Sequence, residues 1–170
     1  MKAHNYKMLP TTRKKPWNRT SLPVYSVSSK TEENENMHIC TYVSAVSMQP
    51  KRMMVAIYHG TQSLANLTTK PHFILQLLAA GQYNLVNQLG KQSGKNIDKI
   101  QRLQKRKLLA EWNGFKILKD ALAVIELLAI NRMEAGDHCM FLCDVIAYKN
   151  LNNGLPLTTT ILHEKGIIRI

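Results

Sequence analysis

Strand-like segments fall into two blocks with most helix-like segments gathered between them, and this ordering constrains the fold more than any single motif. Segments rich in β-branched, aromatic and alternating apolar residues lie at 22–30 ("LPVYSVSSK"), 37–47, 52–59 ("RMMVAIYH") and 72–79 ("HFILQLLA"). After the interruption come "FKIL" at 115–118, "ALAVIELLAINR" at 121–132, "DHCMFLCDVIAY" at 137–148 and a last short strand in "GIIRI". A short helix at 61–70 carries Leu64 and Leu67 three apart. Two more helical stretches, around 81–90 and 95–110, occupy the interruption; in the second, Ile97, Ile100 and Leu103 form a narrow apolar stripe on a basic helix. About eight strands, joined mostly by turns, argue against an alternating βαβ sheet; they predict a mainly β fold, a barrel or sandwich with a helical insertion.

A chain of 170 residues suits one domain. The division expected is a basic, partly flexible N-terminal arm over 1–20, with Pro10 and Pro16 and no apolar periodicity, and a folded domain over 21–170. No apolar run reaches the ~18 residues of a membrane span, and the first twenty residues are polar and basic, so a cytoplasmic protein is expected. Cys40, Cys139 and Cys143 are read as buried, reduced thiols, since a metal site would need further ligands nearby. The net charge is +12, concentrated in two zones. Residues 1–30 carry seven basic groups and no acidic one, and 91–107 carry seven against Asp98 alone. Such zones fit anionic partners. Nucleic acid is disfavoured, because aromatic residues do not interleave with the basic ones as stacking platforms would.

No phosphate-loop, dinucleotide, zinc-protease or nucleophile-elbow motif is present, so an enzymatic reading calls for a bound cofactor to supply the chemistry. The stretch 37–60, "MHICTYVSAVSMQPKRMMVAIYHG", spends many strand positions on hydroxyls and alanine. As one extended strand it would put Thr41, Val43 and Ala45 on one face and Tyr42, Ser44 and Val46 on the other. Small side chains leave room for a flat ring, and Gly60-Thr61-Gln62-Ser63 at a helix start offers amides and hydroxyls suited to phosphate. On residue types alone the plainer reading, a Ser/Thr-rich edge strand followed by an ordinary helix cap, is the stronger one.

Motif order favours the cofactor. The chain resembles the flavin-reductase-like family of FMN-binding split barrels, from Leu22 to Arg169. "LPVYSVSS" looks like the family's first strand, and "TYVSAVSMQPKRMMVAI" is similar to its Thr/Ser-rich strand, proline turn and following strand. "SLANLTTKPHFILQLL" and "LGKQSGKNIDKI" resemble its helix start and its Phe-Gly-x-x-Ser-Gly-x-x-x-Asp-Lys-Phe motif. "ALAVIELLAINRMEAGDHCMFLCDVIAY" resembles its late strand pair with Gly-Asp-His. Gln49 and Lys51 depart from the acidic residue and second proline of the turn, Gln76 from the strand asparagine, and Asp144 from a glycine.

The resemblance implies a Greek-key split β-barrel that is a homodimer with FMN at the interface, FAD being an alternative flavin. It assigns ring and ribityl contacts to Thr41, Tyr42, Val43, Ser44 and Ala45, and phosphate to Gly60, Thr61, Gln62 and Ser63. Lys99 is either a positive charge near that phosphate or a solvated helix lysine. His138, in "GDH", is placed near flavin and nicotinamide, with a strand-end structural role as the alternative. His4, His38, His59, His72 and His163 are read as structural or surface residues. The activity implied is an NAD(P)H:flavin oxidoreductase that passes hydride from nicotinamide to flavin N5 and reduced flavin to an acceptor or redox partner. The alternative is a flavin-binding or structural split-barrel protein without NAD(P)H turnover.

Overall fold

The computed structural model describes residues 15–169. Nine strands and four α-helices follow one another as β1 (Tyr25–Lys30), β2 (Glu35–Cys40), β3 (Val43–Met48), β4 (Lys51–Tyr58), α1 (Gln62–Thr69) and β5 (His72–Leu77), then α2 (Leu85–Gly90) and α3 (Lys99–Lys105). The chain continues through β6 (Leu109–Trp112), β7 (Phe115–Leu118), β8 (Ala123–Ala135), β9 (His138–Asn150) and α4 (Thr159–Glu164). Seven strands make one antiparallel sheet in the order β2-β1-β5-β8-β9-β4-β3, and β6 and β7 form a separate hairpin. The fold is mainly β with a helical insertion, as the order of segments predicts.

Sheet curvature follows from connectivity. β2 and β3 are consecutive in sequence yet occupy opposite edges of the strand order. Only Thr41 and Tyr42 separate them, so the edges must meet. They do: the Ala56 amide of β4 donates to the Tyr42 carbonyl at 2.9 Å, and the Cys40 thiol lies 3.4 Å from the Ala56 carbonyl. Inside this barrel, alternation directs Val27, Met53, Val55, Ile57, Phe73, Leu75, Leu127, Phe141 and the three cysteines into one core. Burial pushes the thiols of Cys40 and Cys143 up to about 12, so these cysteines are core residues. Outside β1 and β5 a second core forms, in which Met37 and Leu78 meet Leu85, Val86 and Leu89 of the α2 segment, Ile100 and Leu103 of α3, and Leu162 of α4. That double coverage explains why the interior positions of β1 and β5 are all buried.

Three expectations are corrected. The single strand over 37–47 is two strands, because Thr41–Tyr42 crosses between sheet edges. The helix expected to 110 stops at Lys105: Lys107 adopts φ 56°, and the chain enters β6, which pairs with β7 across Asn113-Gly114, both at positive φ. The terminal strand in "GIIRI" is absent among the described residues. Instead α4 ends at Glu164 and is closed by Gly166 (φ 69°), with Gly166 N donating to His163 O and Ile167 N to Leu162 O, which folds Ile167 and Ile168 back onto the helical core. The arm expected at 1–20 lies largely outside the described residues. No helix among the described residues is long and apolar enough to cross a membrane.

Candidate flavin-phosphate site

Three segments enclose a cavity of about 320 Å³: β2, the β4–α1 turn and the loop from α2 to α3. The turn is shaped by Gly60 at φ 76°. Thr61 then caps α1, its Oγ1 accepting from Leu64 N at 3.2 Å while donating to the Tyr58 carbonyl at 2.9 Å. First-turn amides of a helix have no intrahelical acceptor and carry its positive dipole end, so the Gln62 and Ser63 amides can receive an anion. Ser63 itself is fully buried and accepts a 2.9 Å bond from Asn36 Nδ2 of β2. Gly94 of the facing loop packs so closely on Asn36 that a Cβ there would collide with the Asn36 amide.

Lys99 begins α3, which Asp98 caps by accepting from Gln101 N at 2.8 Å. Its side chain turns inward: it is 3% exposed, lines the cavity, and donates from Nζ to the Leu89 carbonyl at 2.6 Å. Burial lowers its pKa to about 8. The solvated-helix alternative for Lys99 is thereby overturned. His38, on β2, is 7% exposed and also lines the cavity, with Nδ1 lacking a hydrogen-bond partner among the described residues. Its pKa falls to about 3, first through burial, then through the charges of Lys99 and His138, so the ring is neutral.

His138 opens β9. Its Nδ1 lies 2.6 Å from Asp137 Oδ1, which holds the Asp137 carboxyl below the usual range. The imidazole meets the ring of Tyr42 edge-on at 5.0 Å and that of Tyr58 at 5.3 Å. Tyr58 lines the cavity, so an aromatic cluster adjoins it.

Gly60, Thr61, Gln62 and Lys99 therefore converge on one cavity, with Ser63 directly behind its wall. Thr41 to Ala45 do not line it. Tyr42 reaches its border through His138, Val43 packs on the barrel core, and Ser44 and Ala45 are exposed on edge strand β3. Residues outside the sequence assignments also line it: Asn36, His38, His59 and the loop 90–94. Loop 90–94 falls within "LGKQSGKNIDKI", so a signal existed for it. His38 carried none, because its burial arises from contact with distant segments.

The arrangement sets helix-end amides and a buried lysine in one cavity beside an aromatic cluster. A family model, the flavin reductase like domain, matches residues 17–165, and the chain belongs to that family. The chain is 27% identical over 154 residues to Diflavin flavoprotein A 1 of Synechocystis sp., covering 90% of this chain but 25% of the relative. It thus spans about a quarter of the length of the curated relatives it matches. Among solved structures, an FMN-binding protein from Thermus thermophilus with bound 1-cyclohex-2-enone superposes with TM-score 0.71 at 23% identity, covering 88% of this chain and 80% of that one. The styrene monooxygenase flavin reductase of Pseudomonas putida S12 gives TM-score 0.67 at 20% identity, covering 81% and 85%. These likenesses identify the fold as the split barrel of flavin-reductase-like proteins.

Proposed function

We propose that the protein binds FMN and acts as an NAD(P)H:flavin oxidoreductase. The observation that carries this reading is the convergence of the α1 N-terminus and buried Lys99 on one cavity, next to the Tyr58–His138–Tyr42 cluster, in a chain of the flavin reductase like family. Gly60 to Ser63 and Lys99 would hold the phosphate by amide and ammonium donors. When bound, a flavin would supply the two-electron acceptor for hydride from the nicotinamide, leaving NAD(P)+ and, with one solvent proton, reduced flavin. The transfer needs the two rings held about 3–3.5 Å apart and no protein base. His138, oriented by Asp137, is the positioning and hydrogen-bonding side chain at that end.

The chain is proposed to work as a homodimer, because the outer face of β3, β4, β8 and β9 exposes Val46 and Met133 at a hollow of about 280 Å³ also lined by Met54, Met140 and Leu142, and Met48 is exposed on the same strand as Val46. Reduced flavin would then serve an acceptor or partner protein. FAD is the alternative flavin, and a cytoplasmic location fits the activity.

A visible spectrum of the purified protein, followed by anaerobic NADH addition, tests the reading. A flavin band that bleaches is the expected result. A band that persists with NADH and NADPH leaves a flavin carrier, and no band even after FMN loading rejects the cofactor.

A further inference from the structure

We infer that His38 is a direct ligand of the anionic end of the cofactor, forming with Lys99 a phosphate-monoester site that selects FMN over riboflavin. The inference rests on the flavin reading above and assigns a residue to it that no motif singles out.

Alternation along β2 puts Asn36 and His38 on the same side of the strand, and both line the cavity. The His38 ring has no hydrogen-bond partner among the described residues: Nδ1 is wholly buried, and Nε2 is left to meet a ligand in the cavity, where a neutral imidazole can donate. Lys99 uses one of its three donors on the Leu89 carbonyl and has two left. Charge in the lining is one-sided: Lys91 and Lys99 contribute, and no carboxylate does. A neutral donor and a buried cation therefore face a cavity that already has helix-end amides on another wall. A tetrahedral dianion accepts from all three directions at once, whereas a ribityl hydroxyl meets only one. The pKa values agree, since burial without a counter-anion lowers Lys99 to about 8 and holds His38 neutral. Asn36 is unavailable for the role because its amide is committed to Ser63 and wedged against Gly94.

The experiment is fluorescence titration of the protein, of His38→Ala and of His38→Asn with FMN and with riboflavin. Losing one hydrogen bond to a charged group corresponds to about tenfold or more in affinity. His38→Ala is expected to weaken FMN by that factor and leave riboflavin unchanged, and His38→Asn, which keeps an N–H, to recover part of the loss. Equal weakening of both flavins, or no change in either, overturns the inference. Ring-15N spectra of the unsubstituted protein give a second readout that does not depend on a variant folding. FMN and inorganic phosphate should each shift the His38 nitrogen resonances while riboflavin does not. A shift with riboflavin as large as with FMN, or none with any ligand, overturns it. The two readings fail differently: if neither flavin binds, the cofactor assignment falls, and if both bind alike, only the His38–Lys99 assignment does.

Discussion

At the scale of single residues, a buried cation without a counter-anion is a liability. Below its lowered pKa of about 8, Lys99 holds a buried positive charge; an unfolded lysine stays charged up to its ordinary value near 10.5. The unfolded state therefore binds the extra proton between these values, and stability must rise with pH across them. His38, the adjoining Asp98 and the lining His59 and Lys91 are the titratable groups around it. The stability of the unsubstituted protein relative to Lys99→Met is expected to climb by roughly 2 kcal/mol from about pH 7 to about pH 10, followed by denaturant unfolding without flavin. A flat difference would show that the ammonium reaches solvent. His38 acts in the acid range. Its folded pKa of about 3 against 6.5 unfolded means its contribution is complete above pH 6.5 and is lost as pH falls toward 3. Relative to His38→Asn, the protein should lose roughly 2 kcal/mol by about pH 5, a slope measurable by Tm or denaturant midpoint. The groups facing His38 are Lys99 from α3 and His138 from β9, both disfavouring its protonation.

At the scale of elements, the loop between α2 and α3 is held to β2 by steric fit. Gly94→Ala would drive a methyl into the Asn36 amide and disturb its bond to Ser63 at the start of α1. A cost of about 1–3 kcal/mol in stability is expected, with weaker FMN binding. Adding Asn36→Ala should restore Tm by making room while leaving FMN binding weak, because the wall behind the α1 amides is gone. Elements differ in how far the sequence announces them. The period-two apolar pattern of β4, β8 and β9 is legible because each strand buries one face in the barrel. The break at Thr41–Tyr42 is not, since the chain stays extended while it changes sheet edge and needs no glycine or proline to do so. β6 was hidden by helix-forming residues, Leu109, Ala110 and Glu111, although Asn113-Gly114 is a strong hairpin signal. Within the site, Gly60 to Ser63 and Lys99 stand in ordered motifs. His38 becomes a cavity residue only when α3 and loop 90–94 fold against β2, a contact that no local pattern encodes.

At the scale of the whole molecule, the two halves of the sheet are finished differently. The outer face of β1 and β5 is sealed by α2, α3, α4 and the β6–β7 hairpin. Around β9 and β4 the outward positions stay apolar without a second layer: Met48 is 90% exposed, and Val46, Met133, Ile146 and Tyr148 are open as well. A fold that covers one half of a sheet so thoroughly while leaving methionine and valine open on the other presents a surface suited to association. β3 belongs to that face and directly follows Tyr42, which contacts His138, so the associating face and the aromatic end of the site are adjacent along the chain. If the proposed homodimer forms through this face, placing like charges there should separate the protomers, since the carboxylates would have to be desolvated in the interface. The double variant Val46→Glu with Met133→Glu is expected to run as a monomer of 19.4 kDa by light scattering, where the unsubstituted chain runs at twice that mass. Because both substitutions sit on solvent-facing positions, the Tm of the separated chain reports how much of the fold depends on its mate. If the unsubstituted chain is itself monomeric at micromolar concentration, the homodimer is wrong, and the exposed methionines must be explained by a different partner. If the variant is monomeric but binds FMN as tightly as before, the cofactor lies wholly within one chain. A joint loss of association and of FMN binding, with secondary structure intact, would place the flavin ring between protomers and its phosphate in the cavity of one.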